Sequence, residues 1–357
     1  MRDRIPQESF RTALRTELAW EAARLGRRSL GSIFFGGGTP SLMQPDTVAA
    51  LIDDACRWFD PVPAMEITLE ANPTSVEAAR LGAFRAAGVN RLSLGVQSLH
   101  ADALQMLGRQ HSAEQARAAL ETARERFPRI SFDLIYARPG QTLPAWREEL
   151  RAALALAADH LSLYQLTIEP GTAFATRHAR GEIVLPDSDT AAAMYEATEQ
   201  EAARFGLLPY EVSNFARPGA ESRHNLTYWR YADYVGIGPG AHGRITLGQD
   251  LYATRRHRTP EAWAEQVARH GHGTAEQSAL QAIDKAREML LMGLRLAEGV
   301  DAARFAARTG LPLEAALDAD VLAQAEAEGY LLFRHGRLAA LPPGRLRLDA
   351  LLAALLR

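Results

Sequence analysis

Between residues 32 and 168 short apolar runs alternate with amphipathic helical stretches, and that alternation constrains the fold more than any other feature. Helical periodicity over 7–28, with Phe10, Leu14, Leu18 and Ala22 on one stripe, precedes an apolar run at 32–35. Helix 46–58 then precedes strand 65–70, and helix 75–87 precedes strand 91–96. Helix 113–126 precedes strand 130–136, and helix 144–157 precedes strand 160–168. Short strands separated by helices pair in parallel through right-handed crossovers. No GxGxxG turn follows the first strand, so the spacing predicts a barrel-like α/β fold rather than a dinucleotide-binding sheet. The repeat opens on a helix where a βα barrel opens on a strand, so the first strand is expected to be absent.

Beyond helix 188–205 lies an irregular, aromatic-rich region, 210–243. Residues 244–279 read as a connecting segment. From about 280 the periodicity changes: 282–297, 301–309 and 313–328 read as helices, followed by a small hairpin around His335-Gly336. That order predicts a small, mainly helical, winged-helix-like domain over 280–357. Its arginines are interleaved with Asp and Glu, which favours a structural appendage over a nucleic-acid reader.

Composition narrows the partners. The 357 residues carry a formal net charge of −3, which argues against duplex DNA or an anionic membrane surface as a bulk electrostatic partner. Peripheral membrane association has no visible signal. The start, Met1 to Phe10, is polar, and no apolar run approaches the ~20 residues that a bilayer requires, so cytoplasm is the expected compartment. Cys56 is the sole cysteine, which excludes an internal disulfide and a Cys-only metal site within one chain. It lies in the amphipathic stretch LIDDACRWF and reads as a buried structural thiol.

Ligands of parallel α/β barrels sit at the C-terminal ends of the strands. Those ends are polar here: Gly36-Gly37-Gly38-Thr39-Pro40, Glu70 with Asn72, Gln97 with Ser98, Asp133 with Tyr136, and Glu169. Three glycines let backbone groups approach a ligand closely, because no Cβ intervenes. The loop lacks the Lys and Ser/Thr of a P-loop. A glycine loop beside carboxylates suits a zwitterion, with carbonyls taking an ammonium and acidic or amide side chains taking hydroxyls. Among the histidines, His224 reads as either a ligand-binding group or a hydrogen-bonded loop residue. His242 reads as a satisfied loop residue, His270 and His272 as solvated, and His111 as shaping a helix start.

FFGGGTPSLM, EANP, GVNRLSLGVQSL followed by LGRQH, DLIYARPGQT and YQLTIEPGTAF resemble, in order, the coproporphyrinogen-oxidase-like family of radical S-adenosylmethionine (SAM) proteins. The resemblance runs over roughly 10–350. It implies a partial (β/α)6-type radical SAM barrel over 1–243. It also implies that Gly37, Gly38 and Thr39 hold the methionine part of SAM, and that Glu70, Gln97, Arg109 and Asp133 line the rest of the pocket. Arg109 otherwise reads as a surface residue. The segment YEVSNFARPG-AESRHNLTYW-RYADYVGIGPGAH resembles the family's haem chaperones more than its oxygen-independent dehydrogenases. Its HNxxYW motif, His224 to Trp229, implies haem as a second ligand, with the aromatic side chains against the porphyrin and His224 on the iron.

Two departures stand out. The family binds a [4Fe–4S] cluster through a CxxxCxxC loop, and this chain has only Cys56, far from that position. In the family that loop follows the first strand and precedes the helix that begins here near Phe10. One truncation, by a misassigned start site or a shortened gene, is therefore expected to account for both missing items. Ala137-Arg138 replaces a common glycine and apolar residue. The resemblance implies a haem chaperone that transfers haem to acceptor proteins. The alternatives are an oxygen-independent coproporphyrinogen dehydrogenase, which requires the cluster, and an inactive SAM- or haem-binding scaffold.

Overall fold

The sheet at the centre of the molecule owes its stability to one face. The computed structural model describes residues 7–356. Helix α1 (Gln7–Leu25) precedes β1 (Ser29–Phe35), α2 (Pro45–Trp58), β2 (Asp60–Ala71), α3 (Ser75–Ala86) and β3 (Arg91–Gln97). There follow α4 (Ala101–Met106), α5 (Ala113–Arg126), β4 (Arg129–Tyr136), α6 (Leu143–Leu156) and β5 (His160–Gln165). Strands β1 to β5 are parallel in sequence order. Thr74, Ser112 and Thr142 end the loops before α3, α5 and α6, and each side chain accepts a backbone N–H of the first turn.

Along β2 to β5 the outward positions are Ile67 and Leu69, then Leu92, Leu94 and Val96, then Ile130, Phe132 and Leu134, then Leu161 and Leu163; all are buried beneath the helices. Each such side chain contributes about 1.5–3 kcal/mol when removed from water. The inward positions are polar: Glu66, Thr68 and Glu70; Arg91, Ser93 and Gln97; Arg129, Ser131 and Asp133; His160, Ser162 and Tyr164. A parallel sheet packed on both faces would read as continuous apolar runs. This one curls into a half-barrel with a polar lumen.

The chain continues through α7 (Ala173–Ala179), α8 (Ser188–Arg204), β6 (Leu208–Pro209), β7 (Asn214–Ala216) and α9 (Arg223–Trp229). Strand β7 joins the sheet antiparallel to β5, and β6 closes it antiparallel to β7, giving the order β1-β2-β3-β4-β5-β7-β6. The segment read from sequence as a connection instead folds as β8 (His242–Leu247), β9 (Asp250–Arg256), α10 (Pro260–His270) and β10 (Thr274–Ala279), with the strands in an antiparallel sheet. Gly248, at φ +63°, makes the β8–β9 turn. Exposed charged residues on β9 and β10 dilute the apolar signal of these strands.

This second sheet is clamped to the barrel through α1. Glu17, fully buried, accepts from the Gly238 N–H at 2.8 Å, the Gly273 N–H at 2.7 Å and Trp263 Nε1 at 2.9 Å. Arg256, 1% exposed, lies 3.3 Å from Glu17 and pairs with Glu21. Phe10 packs against Trp263 at 5.1 Å. His272, expected in solvent, packs on Trp20 at 4.1 Å, where Arg24 covers the same ring.

The remaining elements are α11 (Ala282–Gly293), β11 (Val300–Asp301), α12 (Ala302–Thr309), α13 (Ala319–Ala327), β12 (Leu331–Arg334), β13 (Arg337–Ala340), α14 (Pro342–Arg345) and α15 (Leu348–Leu355). They enclose a separate core around Met289, Leu290, Leu294, Phe305 and Leu338. Helices followed by a hairpin, with β11 beside β13, match the winged-helix-like order. Among the described residues no helix is long and apolar enough to cross a membrane.

Candidate functional site: a polar cleft at the strand ends

The inward residues at the carboxyl ends of the strands form an open cleft of about 140 Å³ lined by Gly38, Thr39, Pro40, Glu70, Asn72, Ser93, Gly95 and Asp133. The loop after β1 supplies one wall. Gly37 and Gly38 sit at φ +80° and +61°, the left-handed region that favours glycine, and both face open space. A Cβ on Gly36 would collide with the Phe34 ring and come within 3.2 Å of Glu70 Oε2. The Gly37 N–H donates to Glu70 Oε2 at 3.2 Å. Burial raises the Glu70 pKa, and this hydrogen bond opposes the shift.

Asp133 is the electrostatic centre. Its Oδ2 accepts from Gln97 Nε2 at 2.6 Å, and Gln97 Oε1 accepts from Arg109 Nη2 at 2.8 Å. Its Oδ1 is out of solvent and unpartnered among the described residues. Burial pushes the Asp133 pKa up to about 6; Arg109 and Gln97 pull it down, and Glu70 adds to the rise. Gln97 itself has φ +68°, a strained turn that aims its amide between Arg109 and Asp133. Tyr164, at the end of β5, is pushed up to about 12 by burial and by Asp133.

The structure thus brings Gly37, Gly38, Thr39, Glu70, Gln97, Arg109 and Asp133 to one cleft. It sends others elsewhere. Ser98 donates to Glu149 Oε1 at 2.5 Å, Tyr136 stacks on Trp146 on the outer face, and Glu169 is exposed before α7. Arg138 turns inward to Glu149 at 2.5 Å, so the departure at 137–138 is absorbed by an ion pair. His111 is buried against the Val96 carbonyl at 3.0 Å. Cys56 is half-buried on α2, where burial raises its pKa.

The residues that hold the glycine loop were missed in the sequence. Glu77 accepts from the Ser41 hydroxyl, from the Asn72 N–H at 2.7 Å and from Asn72 Nδ2 at 3.2 Å. Arg80 donates to the Ser41 and Met43 carbonyls at 2.7 and 2.6 Å. The signal was the capping-box spacing Thr74-x-x-Glu77: Thr74 takes the Glu77 N–H at 3.3 Å, while the Glu77 carboxylate turns away to the loop.

His224 lies on the lumen side of this cleft's wall. Its ring stacks on Phe34 at 4.0 Å and 10°, with Tyr228 edge-on at 4.7 Å and Tyr234 beyond. No hydrogen bond reaches its ring nitrogens among the described residues. Burial, then Arg91, pushes its pKa down to about 4. Trp229 is not part of this aromatic set; its ring lies under Arg295 at 4.6 Å, at the seam with the C-terminal core.

Residues 5–153 match the radical SAM superfamily, and residues 280–347 match the HemN C-terminal domain. The heme chaperone HemW of Escherichia coli is 36% identical, with 95% of this chain and 89% of that protein covered. The mitochondrial radical S-adenosyl methionine domain-containing protein 1 of Bos taurus is 44% identical, with 83% of this chain and 69% of that protein covered. The Escherichia coli HemN structure superposes with a TM-score of 0.80 at 23% identity, covering 99% of this chain and 84% of that one, and so shares the fold. The chain belongs to the HemN-like radical SAM family, among the relatives of the haem chaperone HemW.

Proposed function

We propose that the protein binds haem through His224, holds SAM in the strand-end cleft, and passes the haem to acceptor proteins. The observation that carries this reading is His224 itself. A pKa of about 4 keeps its imidazole neutral through the physiological range, with a lone pair free for iron. Phe34, Tyr228 and Tyr234 supply apolar ring surface beside it. The name of the HemW relatives points the same way.

The cleft fits SAM in its donor set. Gly37, Gly38 and Thr39 would take the methionine end, and Asp133, with its free Oδ1, would accept a donor of the ligand beside Glu70, Gln97 and Arg109. The iron–sulfur cluster does not fit these residues. It needs three thiolates; this chain has Cys56 alone, and no cluster of His, Cys, Asp and Glu suited to a metal occurs among the described residues. The dehydrogenase reading requires that cluster.

The test is titration with ferric haem. The parent protein is expected to give a saturating Soret shift at one haem per chain, and His224→Ala to weaken binding at least about tenfold, ~1.4 kcal/mol. An unchanged titration of the variant would remove His224 from the site.

A further inference from the structure

One carboxylate in the lumen faces two ways. Glu66, on β2, is 3% exposed. Its Oε1 accepts from the His224 N–H at 3.2 Å and from the Ser222 hydroxyl at 3.3 Å. Its Oε2 accepts from Arg129 Nη1 at 3.0 Å, with Arg91 at 3.8 Å. Ser222 is the cap of α9, taking the Asn225 N–H at 3.3 Å, so Glu66 holds the cap as well as the helix it starts. Asn225 Nδ2 donates to the Tyr210 hydroxyl at 3.0 Å, which meets His160 Nε2 at 2.9 Å. The first turn of α9 is thereby sunk into the polar lumen.

Two features make Glu66 more than a generic buried acid. It is the carboxylate that meets both guanidiniums of the lumen, and burial already lowers the Arg91 pKa, with Glu66 opposing the shift. It also meets His224 at the backbone, one residue past the cap, leaving the ring free. A ligand side chain is effective only when surrounding bonds fix its orientation. The stack on Phe34 sets the ring plane, and the Glu66 bond sets where along the lumen the ring begins.

We propose that Glu66 is the positioning residue for His224: by capping α9 from inside the barrel it fixes the imidazole where haem iron is to be met. This rests on His224 being the haem ligand. Arg91 extends the arrangement to the other site, since Arg91 Nη2 donates to Ser131 Oγ at 3.0 Å, which donates to Ser93 Oγ at 3.2 Å on the cleft floor.

The experiment compares His224→Ala, Glu66→Ala, Glu66→Gln and Ser222→Ala by ferric haem titration and low-temperature electron paramagnetic resonance. S-adenosylhomocysteine binding serves as the check that the cleft is intact. Glu66→Ala is expected to lose about tenfold in haem affinity and to replace one ligation signal with several. Glu66→Gln, which keeps an oxygen for the His224 N–H, is expected to restore the single signal. Ser222→Ala removes the bond to Glu66 and the cap bond from the Asn225 N–H without stranding a buried charge, and is expected to lose about threefold and broaden the signal. Should the Glu66 variants fail to fold, Ser222→Ala decides. A parent-like affinity and signal in Glu66→Ala, or in Ser222→Ala where it decides, overturns the proposal. A parent-like signal in His224→Ala instead overturns the haem-ligand reading itself.

Discussion

Glu17→Ala is expected to lower the melting temperature by roughly 6–10 °C. Glu17 is fully buried and serves three donors, two of them backbone N–H groups that connect the second sheet to α1. Alanine leaves those donors without partners, each at a cost of about 1–3 kcal/mol. It also leaves Arg256 with Glu21 as its one carboxylate partner among the described residues, beside the Gly236 carbonyl and the Thr274 hydroxyl. Breaking a buried ion pair by removing one member costs about 3–5 kcal/mol in all. Thermal melts give the total, and hydrogen exchange shows where it acts: protection is expected to fall first in α1 and α10. A melting point within about 2 °C of the parent would mean that the clamp adds little beyond packing.

Asp133→Asn is expected to stabilise the ligand-free protein while weakening the cleft. The folded pKa of Asp133 is raised to about 6 from 3.8, chiefly by burial. Below the unfolded pKa both states are protonated and the contribution is full. Between about pH 4 and 6 the folded state keeps a proton that the unfolded state releases, so stability falls as pH rises. Two units correspond to about 3 kcal/mol, and partial solvent access reduces this to on the order of 2 kcal/mol. Asparagine removes that slope and still accepts from Gln97. Urea melts from pH 4 to 8 check it, and a variant less stable than the parent at pH 7.5 would refute the desolvation argument. In the proposed reading the same variant binds S-adenosylhomocysteine at least about tenfold more weakly, because an amide donor replaces a free acceptor.

The parallel barrel was legible because helix and strand periodicities alternate cleanly from 32 to 168, and chain order alone dictates the pairing. The cleft was half legible. Gly37, Gly38, Glu70, Gln97 and Asp133 sit at strand ends, where topology brings them together whatever their spacing in sequence. Glu77 and Arg80 were not legible, because a helix cap and a surface arginine look alike whether they face solvent or a neighbouring loop. The lumen was missed although its signal was present: the alternation Glu66-Ile67-Thr68-Leu69-Glu70 repeats in β3, β4 and β5. The sheet over 242–279 was lost because Arg255, Arg256 and Glu276 mask its apolar residues. Arg256 proves to be buried, and its acidic partners lie on a helix about 235 residues earlier.

The division of labour between the two faces of the central sheet bears on how such a protein changes over time. Leu92, Ile130, Phe132 and Leu161 point outward into the helices and bury apolar surface, while Glu70 and Asp133 point inward to the open cleft. A mutation at the open cleft, away from the buried ion pairs of Glu66 with Arg91 and Arg129, can therefore act on that cleft at less cost to stability than one among the outward side chains. The HemN structure keeps this fold across almost the whole chain at 23% identity, which is the latitude such an arrangement leaves to sequence.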